Sequence, residues 1–223
     1  MMARRREIGS EFWEVPTAGD HGLFPEETQW FLSGRSALQE IICQSGIQTA
    51  ALPAWCCDSM IKPFQDAGVK LSFYPVYMDG GLVQDISAVD AEAILAMDYF
   101  GYTGQVDASD FPGTVIRDVT HSLFSKTYHD ADYFFGSLRK WAGFWTGGFG
   151  WGLAGKNLPH DAGYIALRET AMEKKQRYIE GISAQKDYLE AFAAAEDHLE
   201  QCAPARAAER DVQLASRLDA DFI

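Results

Sequence analysis

Four short segments of this 223-residue chain carry side chains that could do chemistry together. In Ser33-Gly34-Arg35-Ser36-Ala37-Leu38 a glycine opens a helical pattern, where unpaired backbone N–H groups and the helix dipole favour an anion. Ser36 adds a hydroxyl donor and Arg35 a positive charge, although a plain serine-capped helix start is the commoner meaning of such a string. In Ile116-Arg117-Asp118-Val119-Thr120-His121 a carboxylate closes an apolar run, where it could hold a protonated pyridine nitrogen. His121 could hydrogen-bond the same ring or its phenolic oxygen; the bland alternative is an Asp-Thr turn. Ser137-Leu138-Arg139-Lys140-Trp141 sets a lysine among apolar neighbours. Burial there would favour the neutral amine that imine formation needs, whereas a snorkelling surface lysine would have no such use. Gly147-Gly148, with Gly143, Gly150 and Gly152 around it, permits unusual backbone angles and close approach. Alone it marks only a turn into a strand.

These segments need a frame. Ser33 to Gly46 reads as a helix with Leu38, Ile41 and Ile42 on one face, and Thr49–Leu52 as a short strand ending at Pro53. A second helix runs from Ser59 to Asp66 and stops at Gly68; Val69–Val76 alternates as a strand. Ala93–Met97, Thr114–Ile116, Ala131–Gly136 and Gly148–Ala154 follow as apolar strands, the first two ending at Asp98 and Asp118. Short apolar strands interleaved with helices predict an α/β fold, a three-layer α/β/α mostly parallel sheet whose ligands gather at the carboxyl ends of the strands. Residues 1–32 read as an irregular segment, 33–159 as the α/β domain, and 160–223 as a helical C-terminal segment rich in Ala, Glu, Lys and Leu.

Composition removes several functions. A formal net charge of -13 opposes binding to nucleic acid or to an anionic membrane surface. The basic string Arg4-Arg5-Arg6 is too short and too terminal to reverse this, and reads as a solvated tail. The string Gly9-Ser10-Glu11-Phe12 is read as native sequence rather than a cloning scar. The four cysteines, at 43, 56, 57 and 202, include no CxxC pair, so neither a disulfide scaffold nor a metal is expected. No signal-peptide core and no stretch of eighteen apolar residues occurs, so a cytoplasmic protein is expected. A doubly wound nucleotide-binding enzyme is a distant option, because no GxGxxG or Walker sequence follows the first strand.

Taken in order, the segments SGRSAL, LPAWCC, DYFG, IRDVTHS and DYFFGSLRKW followed by the double glycine resemble the DegT-like (StrS-like) sugar aminotransferases. These are fold-type-I enzymes that depend on pyridoxal 5'-phosphate, and the resemblance runs from about Ser33 to the helices near Glu200. It implies that Lys140 holds the cofactor as a Schiff base and moves a proton between substrate and cofactor. It further implies that Asp118 pairs with the pyridinium nitrogen and that His121 lies near the cofactor. Gly34, Arg35 and Ser36 would take the phosphate, with Ser137 a further donor. An aromatic residue of the LPAWCC segment would face the ring: counting from Pro53 the position falls on Cys57, while Trp55 is the aromatic residue at hand. Arg139 just before Lys140 departs from the commoner wording of the family.

The resemblance also implies the activity, which is transfer of an amino group from an amino acid such as glutamate to a keto-sugar or related carbonyl, in a homodimer. Members of the family carry a smaller C-terminal domain that closes over the cofactor. It has no counterpart in these residues, so the sequence reads as the large domain alone, either a fragment or a shortened protein. The rival expectation is a truncated, catalytically inactive domain of the same fold that acts as a binding or assembly partner.

Overall fold

Ala93–Met97 is buried along its whole length, as a central strand covered on both faces must be. In the computed structural model, which describes residues 12–15, 22–101, 106–125 and 131–218, that strand lies in the middle of a seven-stranded sheet. The Arg4–Arg6 string, Gly9–Glu11 and much of the segment before residue 22 fall outside the described residues. The described elements run β1 (Gln29–Phe31), α1 (Gly34–Ser45), β2 (Thr49–Pro53), α2 (Asp58–Asp66), β3 (Lys70–Tyr74), β4 (Val76–Met78) and β5 (Leu82–Gln84). They continue with β6 (Ala93–Met97), β7 (Thr114–Asp118), β8 (Tyr133–Ser137), β9 (Gly148–Trp151), α3 (Ala162–Ile179), α4 (Gln185–Gln201) and α5 (Glu209–Ala215).

The sheet order is β1-β9-β8-β7-β6-β2-β3. Strands β3, β2, β6, β7 and β8 are mutually parallel, while β9 is antiparallel to both of its neighbours. The carboxyl ends of β2, β6, β7 and β8 therefore line up side by side, at one edge of the sheet. The mostly parallel α/β architecture expected from the strand pattern is thus present. Two details differ from the pattern. β1 lies within the stretch read as irregular, its three residues too few to show a period. The single strand expected over 69–76 is interrupted at Pro75, which has no N–H to donate, and β4 turns away to form a hairpin with β5.

Side chains alternate across each strand, so Phe134 and Phe135 enter different cores. Phe135 joins Leu38, Ile41 and Ile42 of α1 and Phe64 of α2 on one side. Phe134 joins Phe149, Trp151 and Ala215 of α5 on the other, with Phe134 and Trp151 stacked 4.9 Å apart. After Pro159 the chain forms a helical hairpin whose α3 and α4 pack through Ala171, Met172, Tyr188 and Phe192. Two cations are buried within it. Arg168 lies 4.8 Å from the Phe192 ring and Lys175 4.2 Å from the Tyr188 ring, so aromatic faces offset part of their desolvation.

The ion pair beneath the strand ends is the most demanding interaction in the fold. Arg117 donates to Asp98 at 2.9 Å with both side chains at 0% and 1% exposure, and Ser122 donates to the second Asp98 oxygen at 2.7 Å. Arg117 Nε and Nη2 are buried and find no further acceptor among the described residues. Removing one member of such a pair strands the other charge, at a cost of about 3–5 kcal/mol. Asp98→Ala is therefore expected to lower the free energy of unfolding by that amount in urea titrations. A loss under about 1 kcal/mol would show that the pair does not constrain the fold.

Candidate functional site

The start of α1 is held against the sheet by missing side chains. A Cβ on Gly148 would lie 2.1 Å from the Ser33 carbonyl oxygen, and one on Gly34 would lie 3.1 Å from the Gly136 oxygen and 3.5 Å from Ser137 Cβ. Gly147 adopts φ 105°, a conformation that disfavours any side chain. The double glycine thus serves to bring the helix start onto the ends of β8 and β9, next to Ser137. Ser33 caps the helix, its Oγ accepting from the Ser36 amide at 3.1 Å and lying 3.2 Å from the Ser36 hydroxyl. Both serines are buried. The Ser36 amide is consequently committed to the cap, which leaves the backbone N–H groups of Gly34 and Arg35 as the ones without an acceptor in the helix or its cap. Arg35 also holds Nε and Nη1 buried with no hydrogen-bond partner among the described residues. An orphaned guanidinium beside a helix start is a fit for a phosphate.

Asp118 ends β7 on the same face as Phe135 and α1, because registered neighbours in a parallel sheet share a face. Its carboxylate is buried and accepts from the Thr120 amide at 2.8 Å. Burial pushes its pKa up, the Thr120 hydrogen bonds and His121 pull it down, and Asp98 pushes it up again; the net direction is upward. Asp98 at the neighbouring strand end belongs to the Arg117 pair, so the two aspartates divide into one structural and one with no cation of its own among the ion pairs of the described residues. His121 is exposed, and its ring stacks on Phe100 at 6.5 Å and 15°. Phe100 is itself held at φ 56° and is 72% exposed, a backbone strain of the kind that persists where surroundings enforce it. The Tyr99 hydroxyl donates to the Trp55 carbonyl and so ties the end of β6 to the end of β2. Trp55 is half exposed; Cys57 is exposed, its thiol 2.9 Å from the Ser59 hydroxyl. Both remain candidates for the ring-facing position.

The lysine turn is fixed to the aspartate turn through Thr120. Its hydroxyl accepts from the Ser137 amide at 3.2 Å, and its carbonyl accepts from the Trp141 indole at 2.6 Å. Leu138 donates its amide to Gly147 at 2.8 Å and is fully buried. The expectation of an apolar setting for Lys140 does not hold. Leu138 and Phe144 turn into the core, Trp141 packs edge-on against Phe124 at 4.8 Å, and the Lys140 side chain is exposed at the end of a single 3-10 turn. Adjacent residues of so short a turn point in different directions, which local composition does not reveal. Arg139 points the other way, donating to the Tyr164 hydroxyl of α3 and to Glu196 of α4, a carboxylate that Arg168 also approaches at 3.6 Å.

Gly34, Arg35, Asp118, His121, Ser137 and Lys140 therefore gather around the ends of β7 and β8, with Trp55 and Cys57 beyond β6 at the end of β2. The two described cavities, of about 290 and 530 Å³, are lined by none of these residues. Sequence reasoning gave no role to Thr120, which joins the two turns, nor to Tyr99 and Phe100. The latter two were visible only as part of the DYFG string.

The upward shift of Asp118 has a definite sign in stability. A carboxyl whose folded pKa is raised binds its proton longer when folded than when unfolded, so its contribution is greatest below the ordinary carboxylate range and is lost as pH rises through the folded value. Asp118→Asn is therefore expected to gain stability relative to the unchanged chain between about pH 4 and about pH 8. Urea midpoints at the two pH values check it, and a difference that stays flat or runs the opposite way would contradict the burial of this charge.

No family model matches the chain, and no curated protein matches it in sequence. Solved structures do match. The sugar aminotransferase CalS13 from Micromonospora echinospora is similar over 56% of this chain and 41% of its own, at 14% identity and a TM-score of 0.46. A DegT DnrJ EryC1 StrS aminotransferase from Brucella abortus is similar over 76% and 54%, at 14% identity and a TM-score of 0.46. The aminotransferase TlmJ from Streptoalloteichus hindustanus is similar over 68% and 44%, at 13% identity and a TM-score of 0.45. The chain thus spans about half, or less, of the length of these structures. Among the described residues no helix is long and apolar enough to cross a membrane.

Proposed function

We propose that this chain is the pyridoxal 5'-phosphate-binding large domain of an aminotransferase, acting on an amino acid donor such as glutamate and a keto-sugar or related carbonyl. The observation that carries the reading is the orphaned Arg35 guanidinium at the start of α1. It stands at the same sheet edge as a buried carboxylate and a solvent-accessible lysine. Those three groups match an anion, a protonated ring nitrogen and a carbonyl carbon, which is the donor set of a phosphorylated pyridine aldehyde. Arg35, the free amides of Gly34 and Arg35, and Ser137 would hold the phosphate; Asp118 would hold the ring nitrogen; Trp55 or Cys57 would cover the ring. When bound, the cofactor supplies an electron sink for a carbanion next to the amino group.

The residues themselves have simple tasks. Asp118 keeps a negative charge available at a buried position, at the expense of stability, until a cation pairs with it. Thr120 fixes the distance between the aspartate turn and the lysine turn. Lys140 would hold the aldehyde group through its Nζ amine, and the same amine would be placed to carry a proton to or from the substrate carbon next to the amino group. His121, stacked on Phe100, is placed to orient a ring substituent. A cytoplasmic homodimer with small-molecule donor and acceptor is part of this reading, the second copy covering the open strand ends. The exposure of Lys140 favours, as a second reading, a domain that binds the cofactor without turnover, since water has free access to its amine.

Absorbance of the purified chain with added pyridoxal phosphate tests the proposal. A visible-edge band that disappears on borohydride reduction, with the label mapping to Lys140, is expected, and Lys140→Ala should remove the band and the label. Covalent labelling of Lys140→Ala at the unchanged level would overturn the assignment. Conversion of glutamate to 2-oxoglutarate then separates enzyme from passive binder.

A further inference from the structure

Away from the strand ends, three side chains with metal-binding chemistry converge where the helical hairpin meets the sheet. Asp161 precedes α3, His198 lies in the last turn of α4, and Cys202 follows one helical turn later. Their ligand atoms all lie within 4.8 Å of one another. His198 Nε2 is 3.1 Å from both Asp161 oxygens, and Cys202 Sγ is 2.8 Å from Asp161 Oδ2. We propose that Asp161, His198 and Cys202 form a binding site for one zinc-class divalent cation, with solvent water completing a tetrahedron. The sequence offered no metal motif because the ligands are 37 and 4 residues apart, a spacing that only the antiparallel return of α4 brings together.

Three physical points support the site. The first is ligand type. Thiolate, imidazole and carboxylate together suit zinc and disfavour magnesium or calcium, which select oxygen. The second is fit. Zinc bond lengths of about 2.0–2.3 Å put tetrahedral ligand atoms about 3.4–3.6 Å apart, so the observed 2.8–3.1 Å separations need to open by less than about 1 Å. The third is preorganisation that does not depend on the triad. The Tyr164 amide donates to Asp161 Oδ1 at 2.8 Å, and the Arg206 amide donates to Pro159 at 3.0 Å, which fixes the chain beyond Cys202 beside the chain before Asp161. The His198 and Asp161 side chains are 39% and 24% exposed, so a cation can enter from solvent.

Without metal the cluster is a hydrogen-bonded one. The thiol donates to the carboxylate, and burial with the adjacent Asp161 charge holds the Cys202 pKa up at about 12. Burial raises the Asp161 pKa, but donation from Cys202, Tyr164 and His198 outweighs it and leaves it lowered. Metal binding replaces the thiol proton: the S–H bond breaks, the proton goes to solvent, and the sulfur pair bonds the cation. Near neutral pH about one proton should leave per cation bound.

The test uses the full chain with zinc and cobalt(II) as probes. Zinc should bind with one equivalent per chain in competition with a chromophoric chelator. Cobalt(II) should give thiolate charge-transfer absorption, and zinc should raise the thermal midpoint. Cys202→Ser should abolish the cobalt band. His198→Ala and Asp161→Asn should each weaken zinc by at least about tenfold. Asp161→Asn keeps an acceptor for the Tyr164 amide and so separates loss of metal from loss of fold. A double Cys43→Ser, Cys56→Ser variant should keep the cobalt band and the zinc affinity of the unchanged chain. A cobalt band that persists in Cys202→Ser, or zinc affinity unaltered in Asp161→Asn and His198→Ala, would reduce the cluster to a helix cap and overturn the site.

Discussion

The approach of the α1 start to β9 is the constraint on which the candidate site depends. With Ser33 so close to Gly148 that no Cβ fits between them, the helix can sit with its amino end directly over the ends of β8 and β9. That placement puts Gly34 next to Ser137, and the Thr120 hydrogen bonds then carry the alignment across to β7. Each step is short and made by backbone groups or by buried hydroxyls. The helix start therefore keeps little conformational freedom, which is the condition that preorganisation for a ligand requires. A helix start displaced by a single side chain would leave Arg35 buried against nothing useful.

Electrostatics divides the two strand-end aspartates. Asp98 and Asp118 sit at the ends of neighbouring strands, three hundredths or less exposed, and on composition alone they look alike. Arg117 resolves the equivalence because strand alternation sends it to the face opposite Asp118. Asp98 takes its charge, together with the Ser122 hydroxyl, while Asp118 is left with Thr120 as its hydrogen-bond partner and a raised pKa. A buried carboxylate without a cation is unfavourable for folding. Such a group, at the same sheet edge as the lysine turn, is the kind of perturbed carboxyl that marks a candidate functional site.

Much of the frame was legible because period and punctuation agree locally. Ser33 and Gly46 delimit α1 by capping chemistry, and the fully apolar Ala93–Met97 could only be a central strand. The strand order was not legible, nor was β1, since pairing partners distant in sequence decide both. At the site, the residue types pointed to Lys140, Asp118 and the α1 start, and topology places all of them at one edge. Exposure could not be read in the same way. Leu138, Trp141 and Phe144 surround Lys140 in sequence, but in the fold they turn inward and leave the lysine in solvent. At Ser36 the cap is what the residue type conceals: its amide donates to Ser33 three residues earlier, and its hydroxyl lies 3.2 Å from the Ser33 hydroxyl.

Arg139 gives the unusual wording next to the lysine a physical meaning. Its guanidinium spans from the 3-10 turn to Tyr164 of α3 and Glu196 of α4, and Arg168 shares the same carboxylate. Backbone displacement of Lys140 would have to stretch contacts to both helices of the hairpin, and movement of the hairpin would pull on the turn. Glu196 lies two residues before His198 on α4, and Tyr164 three residues after Asp161. The groups that anchor the lysine turn are therefore built on the same two helix ends as the Asp161–His198–Cys202 cluster. With Lys140 exposed at the end of a short turn, rigidity of that turn must come from below. Here the helical hairpin supplies it through one arginine.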